Sequence, residues 1–129
     1  NIYQADIFKG TSCVYSFFVS VPAPNRRKKE WTHEAHLKMA AWYVFNYPPI
    51  EAGVRIRVGI RHLNECLGGK NTESAGYHET LTEFWIREVR SHGPEKVEQL
   101  SSDLWTRDYP IDLPKNRRAR RVYVRPGEA

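Results

Sequence analysis

Apolar residues recur with a helical period from about residue 32 to residue 105. The first apolar stripe falls at positions i, i+3, i+4, i+7 and i+11, which is one face of a helix, and it comprises His33, His36, Leu37, Ala40 and Val44. Thr32 is a favourable N-cap residue and two prolines follow soon after Asn46, so we predict a helix from Thr32 to about Asn46. The stripe places both histidines on the core-facing side of this helix.

Three further helices are predicted along the chain. The segment from Pro49 to Leu67 alternates like a strand at residues 54–58, but its length, a proline at its first position and the glycine pair at 68–69 favour a helix. The third helix is predicted from about Tyr77 to Ser91, and the fourth from Pro94 to Trp105. The chain is therefore predicted to be all-α, with about four helices packed as a small bundle.

The two ends of the chain show no helical period. Residues 14–19 are β-branched and aromatic, which predicts a short strand or an apolar arm. The residues after 110 are basic and irregular. We therefore divide the chain into an N-terminal arm (1–29), a helical domain (30–110) and a basic tail (111–129).

The composition fits one domain with a modest core. The chain has 129 residues, of which 40% are hydrophobic, too many for a disordered protein. The longest apolar run, from Cys13 to Val21, is about half as long as a membrane-spanning helix, and Asp6 before it argues against a cleaved signal peptide. Because no apolar run is long enough to span a bilayer, no membrane partner is expected. Cys13 and Cys66 match no metal-site spacing and make a weak case for a disulfide framework, so we expect a cytoplasmic protein with free thiols.

The positive charge of the chain is confined to two short runs. The net charge is +5, yet nine basic residues lie in 26–29 and 115–121, and outside these runs 11 basic residues face 15 acidic ones. The flanks are therefore basic and the body is mildly acidic. One alternative for function is a non-enzymatic helical module whose flanks bind an acidic partner or nucleic acid. Tyr123 is the main aromatic residue near the second run, which gives little support for base stacking.

Three histidines are the main candidates for chemistry. His33 and His36 are neighbours on one helix face and can reach the same ion. His78, from the start of another helix, would be the third ligand. Three protein ligands and one open position for water form the arrangement of catalytic zinc sites, and histidine-carboxylate iron sites are closely related. We therefore predict a site for Zn, Fe, Ni or Mn at His33, His36 and His78.

Two glutamates accompany the histidines in the sequence. Glu79 and Glu30 are candidates for a fourth ligand or a catalytic base, because a metal-bound water beside a carboxylate supports hydrolysis. The expected chemistry is hydrolytic or oxidative on an unknown small molecule. In the opposing interpretation the three histidines are structural and form a hydrogen-bonded cluster that fixes how two helices pack. Whether the protein is an enzyme is open at this point.

The histidine motifs also resemble those of a known family. Residues 31–37 (WTHEAHL), 59–64 (GIRHLN) and 76–82 (GYHETLT) are similar to the signature stretches of a family of small, uncharacterised bacterial proteins. The resemblance covers about residues 30–110. It implies a shared helical fold and a shared histidine site, but no reaction, because no activity is established for that family.

Overall fold

A computed structural model describes residues 32–129, and the helices are numbered within that range. They are α1 (His33–Asn46), α2 (Pro49–Cys66), α3 (Glu79–His92) and α4 (Arg117–Arg121), with 3₁₀ helices at Pro94–Gln99, Leu104–Arg107 and Leu113–Lys115. This part of the chain contains no strand, so the prediction of a mainly helical fold is confirmed for these residues. The predicted N-terminal arm lies outside the described residues. None of the described helices is both long enough and apolar enough to cross a bilayer.

Local sequence explains where α1 and α2 begin and end. The Thr32 hydroxyl accepts a hydrogen bond from the backbone N–H of Ala35 (3.2 Å) and so caps α1. Tyr47 is extended, as the residue before a proline must be, and this ends α1. Pro49 then occupies the first turn of α2, where its missing N–H is not needed.

The predicted fourth α-helix is replaced by two short 3₁₀ helices. Gly93 precedes the Pro94–Gln99 helix and has a φ of 84°, and Leu100 directly after this helix is extended. The extended Leu100 ends the helical path before the Leu104–Arg107 helix begins. The Ser101 hydroxyl then donates to the Asp103 carboxylate (2.5 Å). The prediction of one helix from Pro94 to Trp105 is therefore wrong, although Val97 and Leu100 of this segment are buried.

The core has two parts on either side of α3. In the first part, α1 packs against α2, α3 and the Pro94–Gln99 helix, and the buried side chains are Leu37, Met39, Ala40, Tyr43, Ala52, Ile56, Leu63, Ile86, Val89, Val97 and Leu100. In the second part, α3 packs against residues 109–129, which we call the C-terminal segment. The buried side chains of this part are Phe84, Tyr109, Leu113, Ala119 and Val124. The residues after 110 therefore contribute to the core.

Thr80 joins the C-terminal segment to α3. Its side chain is fully buried, and its hydroxyl lies 2.8 Å from the carbonyl oxygen of Ala119 and 3.0 Å from that of Val122. The same oxygen accepts a hydrogen bond from the backbone N–H of Val124 (3.0 Å). One buried hydroxyl thus bonds to backbone groups of three residues in the C-terminal segment, and the buried ones among them have little access to water.

Thr80→Val is expected to lower the free energy of unfolding by about 1–3 kcal/mol, because it keeps the shape but leaves buried backbone groups unsatisfied. Urea unfolding followed by circular dichroism measures the change. Thr106→Val is the matched control, since the Thr106 side chain is exposed and water can replace its hydrogen bond. Equal losses in the two variants would contradict the role given to Thr80.

Candidate functional site

A cavity of about 340 Å³ lies between α1, α2 and α3. Apolar cavities of about 150 Å³ already hold benzene, so this cavity is large enough for a small organic molecule. Its described lining contains no acidic or basic side chain other than histidine. The lining residues are His33, His36, Leu37, Ala40, Ile56, Ile60, Asn64, Gly76, Tyr77, His78, Leu81, Thr82, Trp85 and Ile86. All three predicted histidines therefore border the same space.

Backbone carbonyls orient the two histidines of α1. His33 Nε2 lies 3.0 Å from the carbonyl oxygen of Leu100, and His36 Nδ1 lies 2.7 Å from that of Thr32. A carbonyl can only accept, so each of these nitrogens is the donor, and in the neutral rings the lone pairs are on His33 Nδ1 and His36 Nε2. The His33 ring also meets Trp85 edge to face, with 4.7 Å between centroids.

His36 is neutral at physiological pH. Burial lowers its pKa to about 4, because a charged imidazole loses its hydration there. The hydrogen bond to the Thr32 carbonyl opposes this change, and the neighbouring His33 adds to it. His36 therefore faces its surroundings as a neutral hydrogen-bonding group.

His78 has both ring nitrogens bonded to the backbone. Nδ1 accepts from the N–H of Leu81 (3.2 Å) and so caps α3, while Nε2 donates to the carbonyl of Leu113 (3.2 Å). Burial lowers the pKa of His78. In this arrangement His78 has no nitrogen left for an ion, and within residues 32–129 no three His, Cys, Asp or Glu side chains are grouped as for a metal ion. Metal binding by the three histidines stays a prediction.

Glu79 is engaged in an ion-pair network outside the cavity lining. Its carboxylate pairs with Arg57 (Nη2–Oε2, 3.1 Å), which also pairs with Glu83 (2.6 Å). The Tyr77 hydroxyl donates to Glu79 as well (2.5 Å). Burial and this hydrogen bond raise the pKa of Tyr77. The catalytic role predicted for Glu79 stays untested, and Glu30 lies outside the described residues.

Asn64 and Trp85 line the cavity, although the sequence patterns did not assign them to a site. Asn64 donates to the Asn71 side chain (3.0 Å), whose oxygen also accepts from the Tyr77 N–H (3.0 Å). Asn71 therefore ties the 68–76 loop to the edge of the cavity. In the sequence, the position of Asn71 in a loop between glycines was the one signal for this part of the site, because an asparagine in such a loop often bonds to the backbone.

The C-terminal basic run has both structural and exposed members. Arg120 donates to the carbonyl oxygens of Gly76 (2.9 Å) and Pro114 (2.6 Å) and so holds the loop and the C-terminal segment together. Arg118 and Arg121 are exposed on the short helix α4. Binding of an acidic partner by the basic flanks stays a prediction.

The fold and the site define a small helical domain with a histidine-lined cavity. The chain matches no known family model, no curated protein and no solved structure. The resemblance of its histidine motifs to the bacterial family stays a prediction, and the function is inferred from the cavity.

Proposed function

We propose that the cavity binds a small, uncharged and mainly apolar molecule that carries a hydrogen-bond donor. The observation behind this proposal is a cavity of about 340 Å³ whose described lining is mainly apolar, with a few hydrogen-bonding groups and no acidic, lysine or arginine side chain. Ligand sites commonly have this composition. A charged ligand would lose its hydration in this cavity without gaining an opposite charge.

The preference for a donor follows from how the side-chain protons are already used. The Thr82 hydroxyl donates to the carbonyl of His78 (2.8 Å), and the Tyr77 hydroxyl donates to Glu79. His33 donates from Nε2 to Leu100. The Tyr77 and Thr82 side chains are also hydrogen-bonded to each other, so the acceptor capacity that remains is mainly at the lone pair of the His33 imidazole. Such a lining favours an alcohol, a phenol or an N–H group over an ether or a ketone.

Binding of 2-naphthol, measured by isothermal titration calorimetry, tests the proposal. We expect one site per chain with a dissociation constant below about 1 mM, as for a small ligand in a pre-formed apolar cavity. The methyl ether of 2-naphthol lacks the donor, and 2-naphthoate carries a charge. Each is expected to bind about tenfold more weakly or worse.

Two phenylalanine substitutions locate the binding site. Ile60→Phe adds bulk to the cavity lining and is expected to weaken 2-naphthol binding about tenfold or more, since overpacking of a filled site costs more than 1 kcal/mol. Ile111→Phe makes the same change at a position that is 78% exposed and should leave binding unchanged. No binding of 2-naphthol, or equal binding by both variants, would refute the proposal.

A divalent metal held by His33 and His36 is the second candidate for this cavity, with hydrolytic or oxidative chemistry. Its support is that each ring has one nitrogen fixed by a backbone carbonyl, as metal-binding histidines commonly have. His78 would join only after its bond to Leu81 breaks. Elemental analysis of untagged protein for Zn, Fe, Ni and Mn tests this candidate. No metal in folded protein after reconstitution would contradict it, as would equal metal content in His33→Ala.

A further inference from the structure

An apolar stripe runs along the outer face of α2. The exposed fractions are 85% for Ile50, 56% for Val54 and 51% for Val58, whereas Ile56 on the opposite face is 1% exposed. Branched aliphatic side chains at i, i+4 and i+8 form a continuous line on a helix. A contiguous apolar line of this kind on an otherwise polar helix face is typical of an interaction site.

We propose that this face of α2 pairs with the same face of a second copy of the chain, in antiparallel orientation about a two-fold axis. Glu51, Val54, Val58 and Arg61 are spaced by three, four and three residues, which is the spacing of helix positions that meet a partner helix. In an antiparallel pair whose two-fold axis crosses the helix at the level of residue 56, Val54 meets Val58 of the second copy. Glu51 then meets Arg61 of the second copy, so the interface is complementary to itself.

The charges select the second copy and its orientation. In a parallel pair, each Glu51 would face the other Glu51 and each Arg61 the other Arg61, which places like charges together. In the antiparallel pair both contacts are between opposite charges, and they close off the two ends of the valine layers. Charge arrangements of this kind fix the orientation and partner of paired helices.

Both charged residues can form the new pair without losing their present contacts. Glu51 bonds to Arg55 on its own helix (2.9 Å), and a carboxylate has acceptor sites for a second arginine. The Arg61 guanidinium lies over the ring of Tyr77, 4.3 Å from its centroid. Stacking uses the face of a guanidinium and leaves its N–H edges available.

Sedimentation velocity over a range of protein concentrations tests the dimer. The full chain is expected to form a dimer that weakens with added salt, because exposed charge pairs are screened. Val54→Lys removes one member of both valine layers and is expected to weaken the dimer at least about tenfold. Lys38→Glu, at an exposed site on α1, should leave it unchanged. Far-UV circular dichroism confirms that each variant is folded.

Charge reversal tests the proposed register. Glu51→Arg and Arg61→Glu are each expected to weaken self-association, because each places like charges together twice in the dimer. An equimolar mixture of the two variants restores both opposite-charge contacts, so heterodimers are expected to form. A wild-type chain that stays monomeric would overturn the proposal, and so would a dimer insensitive to Val54→Lys or a mixture that forms no heterodimers.

Discussion

Leu113→Ala is expected to lower the free energy of unfolding by about 3 kcal/mol, within the usual range for a leucine truncated in a packed core. The Leu113 side chain is fully buried and packs in the second part of the core with Phe84, Tyr109, Ala119 and Val124. Its carbonyl also accepts the hydrogen bond from His78. Because domains of this size are stable by only about 5–15 kcal/mol, the loss should be visible as a large fall in the unfolding midpoint.

Urea unfolding of Leu113→Ala and Ile111→Ala measures the effect. Ile111 lies two residues away and is 78% exposed, so its truncation should change stability by less than about 0.5 kcal/mol. Similar losses in the two variants would show that the C-terminal segment does not pack on α3 as described.

Acidification from pH 6.5 to pH 4 is expected to destabilise the protein through His36. In the unfolded chain the His36 pKa is 6.5, and burial lowers it to about 4 in the folded state. Between these values the unfolded state binds more protons, so the free energy of unfolding falls as the pH falls, by about 1.4 kcal/mol per pH unit at most. Below about pH 4 both states are protonated and His36 causes no further loss.

The full difference in the His36 pKa corresponds to about 3 kcal/mol, and partial exposure of the ring reduces the expected loss to about 2 kcal/mol. Urea unfolding of wild type and His36→Gln at pH 7 and pH 4.5 tests this, since glutamine does not titrate. The variant should lose less stability on acidification than wild type. The loss that remains includes the contribution of His78, whose pKa is also lowered by burial. His62→Gln, at an exposed site on α2, is the control. The same pH dependence in wild type and His36→Gln would contradict the prediction.

The sequence was sufficient to predict the helical nature of the domain and the position of α1. Thr32 and the prolines after Asn46 are strong local signals, and the stripe period then determines which side of the helix His33 and His36 occupy. The helical interpretation of Pro49–Leu67 over a strand is also correct, because Pro49 and the following glycines delimit α2 as predicted.

The sequence could not show which atoms each predicted residue uses. His78 is predicted as a ligand from its residue type, but its position just before α3 makes it a cap, and its second nitrogen bonds to a residue 35 positions away. The packing of the basic tail depends in a similar way on Thr80, whose partner Ala119 is 39 positions away. Periodicity reports local structure, and contacts over such separations leave no periodic signal.

The two hydrogen bonds of His78 determine where the domain can be divided. One bond holds the first turn of α3 and the other holds the carbonyl of Leu113, while the ring itself forms part of the cavity wall. A chain cut at residue 110 would leave the Nε2 hydrogen without its acceptor and would uncover Phe84. A fragment that keeps both hydrogen bonds and the second part of the core therefore has to extend through Val124.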